Sequence, residues 1–304
     1  MDPMPTHTGA LGPAAYRHVV FPHGGAGGGA PVNFAAAHAG RFIGAAPAAA
    51  TEEESFVRWL FAQSGLDAAN YKTETLRRRV PACLRALRAG SISDARLLVQ
   101  RNPSAVKAAL SAMVIGVTGF FRDAHVFSAL AKDVLPELTR RGSAARIWSV
   151  GCSDGPELYS VAMLLAEQGV LHRCYLLGTD CRADAVQRAA DGAYEPEAIK
   201  SVPRELLARY FTVDGGLYRI HSCLRTMVQW RTADAMTLQE PGGWDMILCR
   251  NMAIYLRGSS TARLWPALGA ALRPGGVLVL GKAERPLGSA GLSMVAPCVY
   301  RRQG

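Results

Sequence analysis

Two kinds of apolar pattern divide the chain. From Arg146 onward, short and nearly unbroken apolar runs recur: "RIWSVG", "CYLLGTD", "MVQWRTA", "WDMILCR" and "GVLVLG". Runs of that length suit strands buried on both faces. Helical stretches separate them, so the pattern predicts a parallel sheet with crossover helices. The turn "RPGG" before the last run is a sharp helix-to-strand connection. Before Arg146 the period is helical throughout. Thr51 and Glu54 have the spacing of a capping box, and Phe56, Trp59 and Leu60 follow at helical spacing. "YKTETLRRRVPACLRALRAG" predicts a basic helix that stops at Gly90 and that Pro81 kinks or divides. "SDARLLVQRN" and "PSAVKAALSAMVIG" complete an all-helical region. Residues 1–50 are rich in Ala, Gly and Pro, which cannot bury enough surface to offset chain entropy. The expected organisation is a disordered leader over 1–50, a helical domain over 51–115 and an α/β domain over 116–304.

Composition narrows the surroundings. A formal charge of +10 favours acidic partners. The seven cysteines include no CxxC pair, so no metal centre is expected, and a reducing, cytoplasmic compartment is the simplest reading. The sequence has no run of 18 apolar residues and no signal-peptide pattern, so membrane insertion is not expected. It shows no internal repeat.

The chemistry gathers at strand ends. "RIWSVGCSDGPELYS" runs from a strand through Gly151 and Gly155 into a helix, with Pro156 in its first turn. The spacing is neither that of a dinucleotide fingerprint nor that of a phosphate-binding P-loop. Such a turn can equally be a tight connection. Asp180 ends the next strand, where a carboxylate can accept both hydrogen bonds of a ribose diol; helix capping is the equal alternative. Glycine turn and carboxylate together indicate an adenosyl ligand without a pyrophosphate, and S-adenosylmethionine (SAM) fits. Cys249, Arg250 and Asn251 end the fourth strand, with Tyr255 one turn on; Asn251 can also serve as a helix cap. The [DNS]PP[YFW] motif of amino-group methyltransferases is missing there, which argues against nucleic acid as substrate. In "VTGFFRDAHVF", Phe120 and Phe121 favour a core role, while Arg122 has the fork to hold a carboxylate.

In order, "TGFFR", "GCSDGPELYS", "TDCRADAV", "WDMILCRNMAIYL" and "GGVLVLGKAE" resemble the motifs of the chemotaxis receptor methyltransferases, the CheR family. The match runs from about residue 55 to 304. The resemblance implies a class I SAM-dependent methyltransferase sheet, Rossmann-like, with a small helical N-terminal domain and a β-subdomain at about 208–228. It also implies methyl ester formation on glutamate side chains of an acidic protein such as a chemoreceptor, with S-adenosylhomocysteine (SAH) as product. By the same resemblance, Thr118, Arg122, Glu157, Asp180, Cys249 and Arg250 contact the cofactor or line its pocket and Asp234 with Ala235 borders the adenine; Gly151 and Asn251, at the strand ends, are added to the cofactor site from the crevice reading above. Arg122 and Tyr255 face the substrate carboxylate, and Arg79 and Arg85 dock the substrate. The chain departs from the family pattern at Gly116 (usually Asn), Pro156 (Glu), Asp234 (Asn) and Lys282 (His), and Ala82 replaces an Arg of the basic helix. These departures leave room for a small-molecule carboxylate as the acceptor, or for a non-catalytic SAM-binding module. Oligomeric state is not legible.

Overall fold

The computed structural model describes residues 50–304 except 115, 141–143, 238–239 and 289–290; the leader expected over residues 1–50 therefore lies, but for Ala50, outside the described residues. The strands are β1 (Arg146–Val150), β2 (Tyr175–Asp180), β3 (Ala193–Tyr194), β4 (Phe211–Asp214), β5 (Leu217–Ile220), β6 (Val228–Thr232), β7 (Trp244–Cys249), β8 (Leu272–Leu280), β9 (Leu292–Ala296) and β10 (Val299–Arg302). Seven of them form one sheet in the order β6-β2-β1-β7-β8-β10-β9. Neighbours are parallel except where β10 runs against β8 and β9. The five apolar runs of the sequence are β1, β2, β6, β7 and β8. After β1 the chain adds strands on one side of it, then returns to add β7 and β8 on the other. The reversal leaves a crevice beyond the carboxyl ends of β1 and β7, where open α/β sheets bind ligands.

Period-two alternation supplies both faces of this sheet. Trp148, Ile247 and Leu278 point to one side, and Ile147, Met246 and Val277 to the other. The first side is covered by helices of the N-terminal region: α1 (Glu52–Gln63), α2 (Thr73–Arg77), α3 (Val80–Leu87), α4 (Ile92–Arg101) and α5 (Ala105–Met113). Phe56, Leu60, Phe61, Cys83 and Met113 of that layer share a core with the sheet. The opposite face carries the segment of α6 (Ala124–Ala129), a π-helical turn over Leu130–Val134 and α7 (Leu135–Arg140), together with α8 (Pro156–Glu167).

Local chemistry accounts for the element ends. Thr51 Oγ1 accepts the N–H of Glu54 at 3.3 Å, opening α1. Pro81 divides the basic stretch: α2 ends at Arg77 and α3 begins at Val80, with the proline in its first turn, where a missing N–H costs nothing. That helix stops three residues short of Gly90, because Arg88 itself takes the left-handed C-cap position at φ 54. The small second sheet is ordered β3-β5-β4, so it draws in Ala193–Tyr194, well before residue 208, and Val228 already belongs to the main sheet. A two-residue strand has no period for a sequence to display.

The helical layer is bonded directly to the loop that follows β7. Tyr71 and Leu256 form an antiparallel bridge, with Lys72 N donating to Tyr255 O and Arg257 N to Asn70 O, each at 2.9 Å. Buried Asn70 accepts at Oδ1 from Ser260 Oγ (3.1 Å) and Arg263 Nη2 (2.8 Å). Asn70→Ala leaves both donors without this acceptor and is expected to cost about 1–3 kcal/mol. Urea unfolding of the two proteins measures it, and a loss below about 0.5 kcal/mol would remove Asn70 from that role.

Candidate active site

The crevice opens into a cleft of about 1010 Å³, open solvent at its mouth included. Its floor is the turn after β1. Gly151 lies at φ 68, and a Cβ there would stand 2.8 Å from Met252 Cγ. Gly155, at φ 92, would bring a Cβ within 2.7 Å of the Trp230 ring. Both positions need the smallest residue. Between them Ser153 is left-handed at φ 54, and its N–H donates to Asp180 Oδ2 at 2.9 Å. Phe121, Asp123 and Asn251 are also left-handed, at φ 50, 61 and 58. Non-glycine residues rarely adopt that region, so backbone strain is concentrated around this cleft.

Arg250 joins three walls. Its Nη1 donates to Glu157 Oε2 (3.0 Å), and its Nη2 donates to Asp123 Oδ2 and to the carbonyl of Arg122, both at 2.8 Å. The guanidinium also lies over the Phe127 ring, 5.4 Å from its centroid. Burial raises the pKa of Glu157, an effect only partly offset by the charge of Arg250 and by hydrogen bonds from Ser149 and Arg250. Asp123 goes the other way: burial raises its pKa, but the Lys282 hydrogen bond and the charges of Arg250, Lys282 and Arg122 together bring it below the usual value. Lys282 thus serves as the outer partner of Asp123, at 3.0 Å.

Of the residues expected at the site, Thr118, Arg122, Gly151, Glu157, Asp180, Asp234, Ala235, Arg250, Asn251 and Tyr255 all line this cleft. Cys249 does not. It shares the parity of Ile247, so its side chain is buried in the core under the helical layer, where burial raises its thiol pKa far above normal. Asn251 caps no helix; the short turn after it starts from Met252 without a side-chain cap. Asp234 turns one carboxylate oxygen, Oδ1, to the N–H of Met236 at 3.0 Å, and burial raises its pKa. Phe120 and Phe121 are core residues. Arg79 and Arg85 lie outside the cleft lining. Arg79 is half-buried and donates Nε to Ala112 O at 2.9 Å, which makes it a tie between α3 and α5, whereas Arg85 is exposed.

Sequence reasoning passed over four residues of the helical layer and two others, Arg182 and Glu284. Tyr71, Thr75, Leu76 and Met113 bring the helical layer into the cleft wall. Arg182 lies in the cleft beside Asp180, at the last position of "DCR", where the family motif reads D-I-D. Glu284 is 3% exposed and accepts three backbone N–H groups at 2.8 Å each: Asn251 and Gly281 at Oε2, Ala253 at Oε1. The final Glu of the "GKAE" match was the available signal for it.

A family model described as "CheR methyltransferase, SAM binding domain" matches residues 116–294, and one described as "CheR methyltransferase, all-alpha domain" matches 51–114. Fold, cleft and matched domain define a SAM-dependent methyltransferase. The chain belongs to the CheR methyltransferase family. It is 31% identical over 238 residues to a protein named chemotaxis protein methyltransferase from Listeria monocytogenes, spanning 77% of this chain and 90% of that one. Chemotaxis protein methyltransferase 1 of Vibrio cholerae is 29% identical, over 77% of this chain and 88% of its own. A probable biofilm formation methyltransferase, WspC, of Pseudomonas putida is 30% identical, over 78% of this chain and 60% of its own.

The donor set fits SAM. A zwitterionic amino-acid end asks for both signs of charge, which Arg250, Arg122 and Glu157 would supply; ribose hydroxyls ask for an acceptor, which Asp180 would offer at a strand end.

Glu284→Ala would leave three backbone donors unpaired and is expected to cost at least about 3 kcal/mol. Glu284→Gln, which keeps oxygen acceptance at one atom, should lose less. Denaturant unfolding of both variants tests this, and equal losses would show that the carboxylate is not clamping the loop.

Proposed function

We propose that this enzyme forms methyl esters on glutamate side chains of an acidic protein, a chemoreceptor being the type of substrate its relatives' names suggest, and that it does so in the cytoplasm. The observation that carries the reading is the presence of Arg122 and Tyr255 in the same cleft as the residues suited to the cofactor. All seven cysteines are free, in keeping with a reducing compartment. No helix among the described residues is long and apolar enough to cross a membrane.

When bound, SAM supplies an electrophilic methyl group on a sulfonium. A glutamate carboxylate, with a free pKa of about 4.3, is already anionic near neutrality and needs no general base. The enzyme's task is then to align the carboxylate and exclude water. Arg122 suits that task. Its Nη1 is fixed to Val117 O at 2.8 Å, which steadies the guanidinium while the side chain still borders the cleft. Tyr255 adds a phenolic donor on the opposite loop, whose backbone is held by Lys72. Exposed Arg85, on α3, is the better candidate for a docking contact; changing Arg79 would also disturb its bond to Ala112.

Purified enzyme, methyl-labelled SAM and a chemoreceptor cytoplasmic fragment test the reaction. The label is expected on glutamate and should leave as methanol in mild alkali; alkali-stable label would overturn the ester reading.

Arg122→Lys keeps the charge but loses the fork, so kcat is expected to fall about a hundredfold, or ~2–3 kcal/mol, with much of the SAM affinity preserved. Arg85→Glu should instead raise KM for the protein, most at low salt, with kcat unchanged. Steady-state kinetics separate the two. A KM that does not move with Arg85→Glu at low salt would remove α3 from docking.

A further inference from the structure

Two departures from the family motifs meet in space. Gly116 stands where the pattern has Asn, and Arg182 ends "DCR" where it has the second Asp of D-I-D. A Cβ built on Gly116 would lie 2.0 Å from Arg182 Nη2 and 2.3 Å from both Cζ and Nη1. The guanidinium therefore occupies the space that any side chain at position 116 would need. A flexible side-chain end can often step aside, but this one is 5% exposed and bonded. Arg182 Nε donates to Asp180 Oδ1 (3.1 Å), Nη2 donates to Ser153 Oγ (2.9 Å), and the Arg182 backbone N–H also reaches Asp180 Oδ1 (2.9 Å). Ser153 Oγ in turn donates to the Gly116 carbonyl at 2.9 Å. Moving the guanidinium would break a buried, charge-assisted set.

These bonds change what Asp180 can do. A carboxylate offers about four lone-pair sites. Arg182 N, Arg182 Nε and Ser153 N already occupy three. One remains for a ribose that has two hydroxyls to place. Arg182 lines the cleft beside it, and its Nη1 makes none of these bonds. We propose that Arg182 is a ribose-binding residue: Asp180 accepts from one cofactor hydroxyl, the Arg182 guanidinium donates to the oxygen of the other, and Gly116 is the residue that makes room for it. A diol held by an acceptor and a donor replaces a diol held by a carboxylate alone. The inference rests on assigning this cleft to the cofactor.

Calorimetry with SAH and its 2′-deoxy and 3′-deoxy ribose analogues provides the test. Wild-type binding of SAH checks the assignment itself; failure to bind would overturn that assignment and this inference with it. Given binding, Arg182→Ala is expected to weaken SAH about tenfold to a hundredfold. For one of the two deoxy analogues, the one lacking the hydroxyl that Arg182 contacts, the same substitution should make little difference. Gly116→Ala should reproduce the loss by evicting the guanidinium, yet add nothing to Arg182→Ala, a coupling that a double-mutant cycle reads directly. Arg182→Lys, which keeps the buried charge, should fold and still lose most of the affinity. If the Arg182 variants lower only thermal stability, or weaken all three ligands equally, or if the Gly116 and Arg182 effects add, the inference is wrong and Arg182 is a structural partner of Asp180.

Discussion

The cleft depends on one buried guanidinium. Arg250, whose side chain is 2% exposed, leaves the end of β7 and has to find partners for a charge that burial penalises heavily. It finds them on Glu157 in the first turn of α8, and on Asp123 and the Arg122 carbonyl in the loop before α6. Three segments distant in sequence are thereby located against one rigid plane. The gain in stability from such a set is small, because desolvation consumes much of the attraction, whereas breaking it by removing one partner costs about 3–5 kcal/mol. Position is what the network supplies. Arg122 inherits it, because the carbonyl that Arg250 holds is its own.

A second constraint acts on the other side. The loop after β7 begins with a left-handed Asn251, a conformation worth about 1–3 kcal/mol of strain in a non-glycine residue. Glu284 offsets that strain by accepting the N–H groups of Asn251 and Ala253, and the helical layer fixes the loop's far end through Lys72 and Asn70. Tyr255 sits between the two attachments. In the proposed reaction the group that orients the carboxylate would have to be held before the substrate arrives, and both the sheet and the helices hold this loop. Because those helices share a core with β1, β7 and β8, a partner seated on α3 rests on the same packed body that carries the cleft.

How much of this was legible follows from which interactions are local. β1, β2, β7 and β8 could be read because burial on both faces makes each a nearly continuous apolar run, edge strand β6 showed only Val228 and Trp230 between exposed polar residues, and the division at Pro81 could be read because a proline acts through its own backbone. β3 is too short to show a period, and β9 exposes Met294 and Val295, so neither announces itself. Gly151, Asp180, Arg250 and Asn251 were readable as strand ends. Cys249 was misassigned because strand parity, invisible in a list of neighbours, turns it inward. The role of Arg182 was not readable, and Glu284 was visible only as the last letter of a motif: one depends on Gly116 and Ser153, the other on three N–H groups, and only the folded chain brings them together.

The electrostatics of the cleft differ from those of the molecule. The chain carries +10 overall, yet the charged side chains lining the cleft are Arg122, Arg182 and Arg250 against Glu157, Asp180 and Asp234. Formally they cancel. A strongly positive cleft would repel a cationic cofactor, and a negative one would repel a carboxylate acceptor. In the proposed transfer the two charges vanish together, so an excess of either sign would favour one reactant only by disfavouring the other. Pairing two of the three arginines with carboxylates, Arg250 with Glu157 and Arg182 with Asp180, lets those guanidinium groups act as directional donors without that excess. The surplus positive charge then lies on the surface, where it steers acidic partners and is screened by salt.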